Sequence, residues 1–140
     1  MTKIRVFVDT NIIRYYFEDV PSAIIVIKDI LDSIVEGYTS TIVEMELYSL
    51  SNADDEWFND VNTILSLFKV IPVSRSIARR AGLMRKALFN QGIKRDEIMF
   101  ADCLIASTGV ELDAVVLSAN RKDFVHLEQF GVKWQNPING

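Results

Sequence analysis

The sequence is short of the residues on which several chemistries depend. Of its 140 residues one is cysteine, Cys103, and one is histidine, His126. A single thiol excludes an internal disulfide and fits a reducing compartment, and with one imidazole it also excludes a cysteine–histidine metal cluster. His126 stands in DFVHLEQF with no serine or cysteine pattern beside it, which favours a surface or hydrogen-bonded histidine. Six glycines and three prolines leave no low-complexity tract or linker, and no internal repeat is visible. No apolar run approaches the ~20 residues of a membrane span, and the opening MTKIRVFVD reads as a strand rather than a secretory leader. A cytoplasmic protein without membrane association is expected. Basic residues are a minority, 15 against 19 acidic, for a net charge of −4. That argues against nucleic-acid binding by a broad basic surface, though not against binding in which a divalent cation inverts the local charge.

What remains is of ordinary globular composition, 49% hydrophobic and 24% charged, and fits one domain over residues 1–140. Residues 3–8, KIRVFV, predict a strand. PSAIIVIKDILDSIVEG places Ile24, Ile27, Leu31 and Ile34 at helical spacing, with Pro21 in the first turn and Gly37 at the stop. GYTST reads as a short strand, followed by a helix to about Leu50. Trp57, Val61, Ile64 and Phe68 mark the next helix, KVIPV the next strand, and Ile77, Ala81, Met84 and Leu88 a helix closed by Gly92. A further helix covers roughly Ile98–Thr108; DAVVLSAN reads as a buried strand and GVKW as an edge strand. Alternating strands and helices predict an α/β sandwich with parallel pairing. In open parallel sheets ligands bind where the strands end.

Polar groups gather at those ends. VFVDTNII closes its strand on Asp9, Thr10 and Asn11, where a helix N-cap is the structural alternative to chemistry. After GYTST come two glutamates. Glu44 stands three residues after Thr41, as in a capping box. Glu46, at about 100° per residue, falls within the arc of Ile42, Val43, Leu47 and Leu50, and a lone carboxylate on an inward face needs a partner or a cation. Asp102 lies beside the stripe of Ile98, Ala101 and Ile105; Asp96 and Glu97 would serve the helix dipole with less burial. Ser118, Asn120 and Asp123 follow AVVL, where loop polarity is the ordinary explanation. A hard cation with oxygen ligands, Mg²⁺ or Mn²⁺, accounts for these acids jointly.

VFVDTNII, TSTIVEMELYSL, DCLIAST and VVLSANRKDF together resemble the PIN-domain ribonucleases, most closely the toxins of VapBC-type toxin–antitoxin pairs. The resemblance covers almost the whole chain in order and spacing. It implies a three-layer sandwich around a mostly parallel twisted sheet of four or five strands. Residue by residue it gives Asp9, Glu46 (six after Ser40), Asp102, and Asp123 or Asn120 as the acidic site. Asn120 stands where some members have Asp, so whether one metal or two is held stays open. The implied activity is Mg²⁺- or Mn²⁺-dependent endoribonucleolytic hydrolysis leaving 5′-phosphate and 3′-hydroxyl ends. Asn11, Ser118 and Asn120 would orient the ligands, and Arg14, Lys94 and Arg121 would contact RNA phosphates. The cations of SRSIARRAGLMRK are better read as a solvated helix face. A homodimer and an antitoxin helix in an apolar groove are also implied, with Tyr15, Tyr16, Trp57 and Phe58 as candidate apolar surfaces.

Three other functions compete. A stand-alone PIN nuclease in RNA processing needs the same site without an antitoxin. A non-catalytic PIN-like binding module has no need of the acids. An aspartyl-phosphate enzyme would use Asp9 as nucleophile, but Asn11 stands where its second acid belongs and Lys122 only loosely matches its lysine.

Overall fold

The apolar run Val6–Val8 becomes the middle strand of a five-stranded sheet. The computed structural model describes residues 2–94 and 100–138. In chain order its elements are β1 (Arg5–Val8), α1 (Thr10–Phe17), α2 (Pro21–Leu31), β2 (Glu36–Ser40), α3 (Thr41–Tyr48), α4 (Asp55–Leu65), β3 (Lys69–Ile71), α5 (Arg75–Asn90), α6 (Phe100–Leu112), β4 (Val115–Leu117), α7 (Arg121–Leu127), a 3-10 turn at Glu128–Phe130 and β5 (Lys133–Gln135). The strand order is β3-β2-β1-β4-β5 and every pairing is parallel. Parallel crossovers are right-handed, which places α1 to α4 on one face and α5 to α7 on the other. The α/β sandwich follows, with GVKW supplying the edge strand.

The connections diverge at the centre. From β1 the chain leaves toward β2; from β4 it leaves the opposite way, toward β5. The crevice between the ends of β1 and β4 is therefore the topological switch point, where such sheets bind ligands. Phe7, Val8, Ile12, Ile13, Leu47, Val116, Phe124 and Leu127 are buried around this centre. Gly109 lets α6 press onto β4, since a Cβ there would stand 2.5 Å from Val116 Cγ2.

Several expectations need correction. Of Ile24, Ile27, Leu31 and Ile34 only Ile27 is buried; the inward face of α2 is Ala23, Ile27 and Ile30, and Leu31 and Ile34 are 61% and 62% exposed. The helix stops at Leu31, so Ile34 lies beyond it. Gly37 does not stop that helix: it sits inside β2, where a Cβ would meet Ile30 at 2.7 Å. Ser40 rather than Thr41 caps α3, its hydroxyl accepting from the Ile42 N–H at 3.1 Å. Asn120–Asp123 is not all loop, because α7 begins at Arg121. Ile98, Asp96 and Glu97 lie outside the described residues. The stripe Ile77, Ala81, Met84 and Leu88 is buried as expected.

Candidate active site

Asp9 ends β1 and does two things at once. It caps α1, Oδ1 accepting from the Thr10 N–H at 2.7 Å, while Oδ2 accepts the Ser118 hydroxyl at 2.7 Å from the end of β4. The helix-cap alternative thus holds for one oxygen and leaves the other aimed across the switch point. The Asp9 N–H donates to the Leu117 carbonyl at 3.0 Å, which ties the two strand ends together.

The other polar residues converge on this hinge. Glu46, half-buried on α3, accepts the Thr10 hydroxyl at 2.8 Å; Glu46, and not Glu44, is the glutamate that reaches the end of β1. Asn11 bridges to the β4–α7 loop, donating from Nδ2 to Ser118 Oγ at 3.3 Å and accepting the Ala119 N–H at 3.0 Å. Asn120 donates its N–H to Ser118 Oγ at 3.1 Å and its amide nitrogen to Asp102 Oδ2 at 2.5 Å. Asp102 in the first turn of α6 and Asp123 in the first turn of α7 are both buried and hydrogen-bond each other. Of the two candidates for the fourth position, Asp123 is a buried carboxyl and Asn120 is the amide that donates to Asp102. An aspartyl-phosphate site gains no support, because Asn11 is committed to the β4–α7 loop and Lys122 is exposed.

The electrostatics follow from burial. Removal from water raises the Asp9 carboxyl to about 6, against the lowering effect of Ser118 and the Thr10 N–H; the charges of Glu46 and Asp123 push it further up. Burial raises Asp102 to about 9, followed by the hydrogen bond with Asp123 and the charges of Asp9, Asp123 and Glu46. Among the described residues no lysine or arginine forms an ion pair with Asp9 or Asp102.

This donor set has the chemistry of a hard-cation site: oxygen ligands, largely buried, mutually repelling, and without protein counter-charge at Asp9 and Asp102. Among the described residues no three His, Cys, Asp or Glu side chains are already gathered into a cage, and the Asp102–Asp123 bond is the contact that a cation would replace. Three residues named from the sequence stay outside the cluster. Arg14 in the last turn of α1, Lys94 after α5 and Arg121 opening α7 are exposed. Thr10, which holds Glu46, was visible in the sequence only as the middle letter of DTN. Arg85, read from the sequence as part of a solvated helix face, is half-buried on α5, and Phe100 carries no separate signal.

The PIN domain family model matches residues 6–129, and the chain belongs to that family. Its members are nucleases and generally use a divalent metal. No curated protein matches the chain by sequence. Solved structures share the fold. The chain is similar to VapBC2 from Rickettsia felis bound to a DNA fragment from its promoter, at 24% identity and TM-score 0.79, covering 95% of this chain and 98% of that one. It is similar to DNA-bound VapBC from Salmonella typhimurium, at 23% identity and TM-score 0.78, with 95% and 98% covered. It is also similar to FitAcB from Neisseria gonorrhoeae, at 22% identity and TM-score 0.72, with 94% and 97% covered.

Proposed function

We propose that the protein is a metal-dependent endoribonuclease, leaving 5′-phosphate and 3′-hydroxyl ends, that serves as the cytoplasmic toxin of a toxin–antitoxin pair. The observation that carries this reading is the meeting of Asp9, Glu46, Asp102 and Asp123 at the switch point of the sheet. Asp9, Asp102 and Asp123 would hold Mg²⁺ or Mn²⁺, with Glu46 at the more open side. When bound, such an ion neutralises phosphate charge and activates water for in-line attack on phosphorus.

The chain's own residues prepare that chemistry. Ser118 and the Thr10 N–H fix both oxygens of Asp9, and Asn120 fixes one oxygen of Asp102. These partners orient the ligands as outer-shell groups do in metal sites generally. Thr10 occupies Oε1 of Glu46, which leaves Oε2 to accept a proton from the attacking water. Exposed Arg14, Lys94 and Arg121 would supply point charges for neighbouring phosphates.

Two partners belong to the same reading. Among the similar structures, a toxin–antitoxin complex from Klebsiella pneumoniae and a member of the VapBC family of toxin–antitoxin systems from Mycobacterium tuberculosis support an antitoxin. A cleft of about 370 Å³ beside α1 and α4, lined by Phe17, Leu50 and Trp57 with four acids, Glu18, Asp54, Glu56 and Asp60, against one cation, Arg14, suits an amphipathic helix that carries basic residues. Exposed Ile25, Leu31 and Ile34 support burial against a second copy, so the solution mass should be twice the 15.9 kDa of one chain.

The test is cleavage of a mixed RNA pool with Mg²⁺ or Mn²⁺, wild type beside Asp9→Asn and Glu46→Gln. Cleavage by wild type alone, stopped by EDTA and leaving 5′-phosphates, is expected. Equal cleavage by the variants, or none by the wild type, would refute the assignment.

A further inference from the structure

Among the described residues one buried side-chain nitrogen or oxygen lacks a hydrogen-bond partner, and it is Nε of Arg85 on α5. Buried polar atoms are normally satisfied, so an exception calls for a reason. The guanidinium sits between two rings, 5.0 Å from the centroid of Phe89 and 5.6 Å from that of Phe100. Arg85 is thus held by stacking and cation–π attraction. Phe100, the outer ring of the stack, is 61% exposed.

A lone exposed phenylalanine is unremarkable on a protein surface. Position and support set this one apart. Phe100 is the first described residue of α6, whose first turn carries Asp102. Two residues correspond to about 200° around the helix and ~3 Å along it. Ring and carboxylate therefore flank one helix end, about a helix diameter (~10 Å) apart. That separation suits a neighbouring base rather than the scissile phosphate itself.

We propose that Phe100, propped outward by Arg85, is a stacking platform for an unpaired RNA base next to the scissile phosphate. The inference rests on the ribonuclease reading and deepens it. Aromatic side chains take up splayed single-stranded bases with little regard to sequence. A chain of net charge −4 has little basic surface to spend on duplex backbone, and stacking on a cation-backed ring supplies grip without it.

Steady-state cleavage of single-stranded oligonucleotides tests the platform. Phe100→Ala should raise KM about tenfold, within the range of a lost base stack, with kcat within about twofold. Phe100→Trp should restore KM and Phe100→Leu should not. An abasic site at one position beside the cut should raise KM for wild type and leave Phe100→Ala unchanged. Unaltered KM in both Phe100→Ala and Phe100→Leu overturns the proposal. A second readout needs no catalysis: in EDTA, single-stranded RNA should quench Phe100→Trp beyond the change seen with wild type, whose indoles are Trp57 and Trp134. No added quench overturns the platform even in an active nuclease. Quench without any wild-type cleavage would keep the platform and refute the nuclease. Loss of a protein partner on Phe100→Ala, with RNA binding untouched, would make the ring a protein-docking residue and also overturn the proposal.

Discussion

At Asp9 and Asp102 the fold keeps two carboxyls in surroundings that disfavour their charge. Both have folded-state values above those of an unfolded chain, about 6 and about 9 against 3.8. A raised acid binds its proton more tightly in the fold. Its contribution to stability is therefore complete below about pH 4 and is lost as pH rises through 6 and then 9. In EDTA the melting temperature should fall from pH 5 to pH 9, and saturating Mn²⁺ should flatten or reverse that slope; a melting curve at each pH reads it directly. For the same reason Asp102→Asn should abolish cleavage while stabilising the ion-free protein at pH 8, on the order of 1–3 kcal/mol, measured by urea unfolding in EDTA. Ser118→Ala has the opposite sign. It removes the donor to Asp9 Oδ2 and should cost about 1–3 kcal/mol.

Helices differ in how openly their sequences declare them. The long α5 could be read outright, because Ile77, Ala81, Met84 and Leu88 keep one period over sixteen residues and all face inward. α2 kept a period too, but along the wrong stripe. Its closest packing uses the small Ala23, which a hydrophobic pattern weights lightly, and it ends before Ile34. α7 was hidden: it has seven residues, no side-chain cap at Asn120, and starts four residues after β4. The acids were legible because a buried carboxylate at a strand end conflicts with hydropathy. Asn11 and Asn120 could be named as their supports only through the family resemblance, and the part Thr10 plays was not visible at all, since these residues act through hydrogen bonds that span up to 108 residues. Close packing at this scale is testable with two glycines in helices. Gly109→Ala crowds Val116 Cγ2 and should destabilise by about 1–3 kcal/mol. Gly82→Ala on α5 meets nothing within 4 Å and should stabilise by about 0.5–1 kcal/mol, both read from denaturant midpoints.

For the molecule as a whole, topology accounts for the site's location. Strand order β3-β2-β1-β4-β5 makes β1 and β4 adjacent although over a hundred residues separate their ends, so Asp9 and Ser118 meet. α3, α6 and α7 then deliver Glu46, Asp102 and Asp123 from both faces of the sheet. Among the described residues no helix is long and apolar enough to cross a membrane. For these carboxylates to hold a cation, the proton that joins Asp102 to Asp123 must leave as the ion enters. Isothermal titration of the protein with Mn²⁺ at pH 7, repeated in two buffers of different ionisation enthalpy, measures both the binding and the proton release. Binding with release of up to ~1 proton per ion, lost in Asp102→Asn, is the expected result. No binding, or binding without proton release that Asp102→Asn leaves intact, would contradict it.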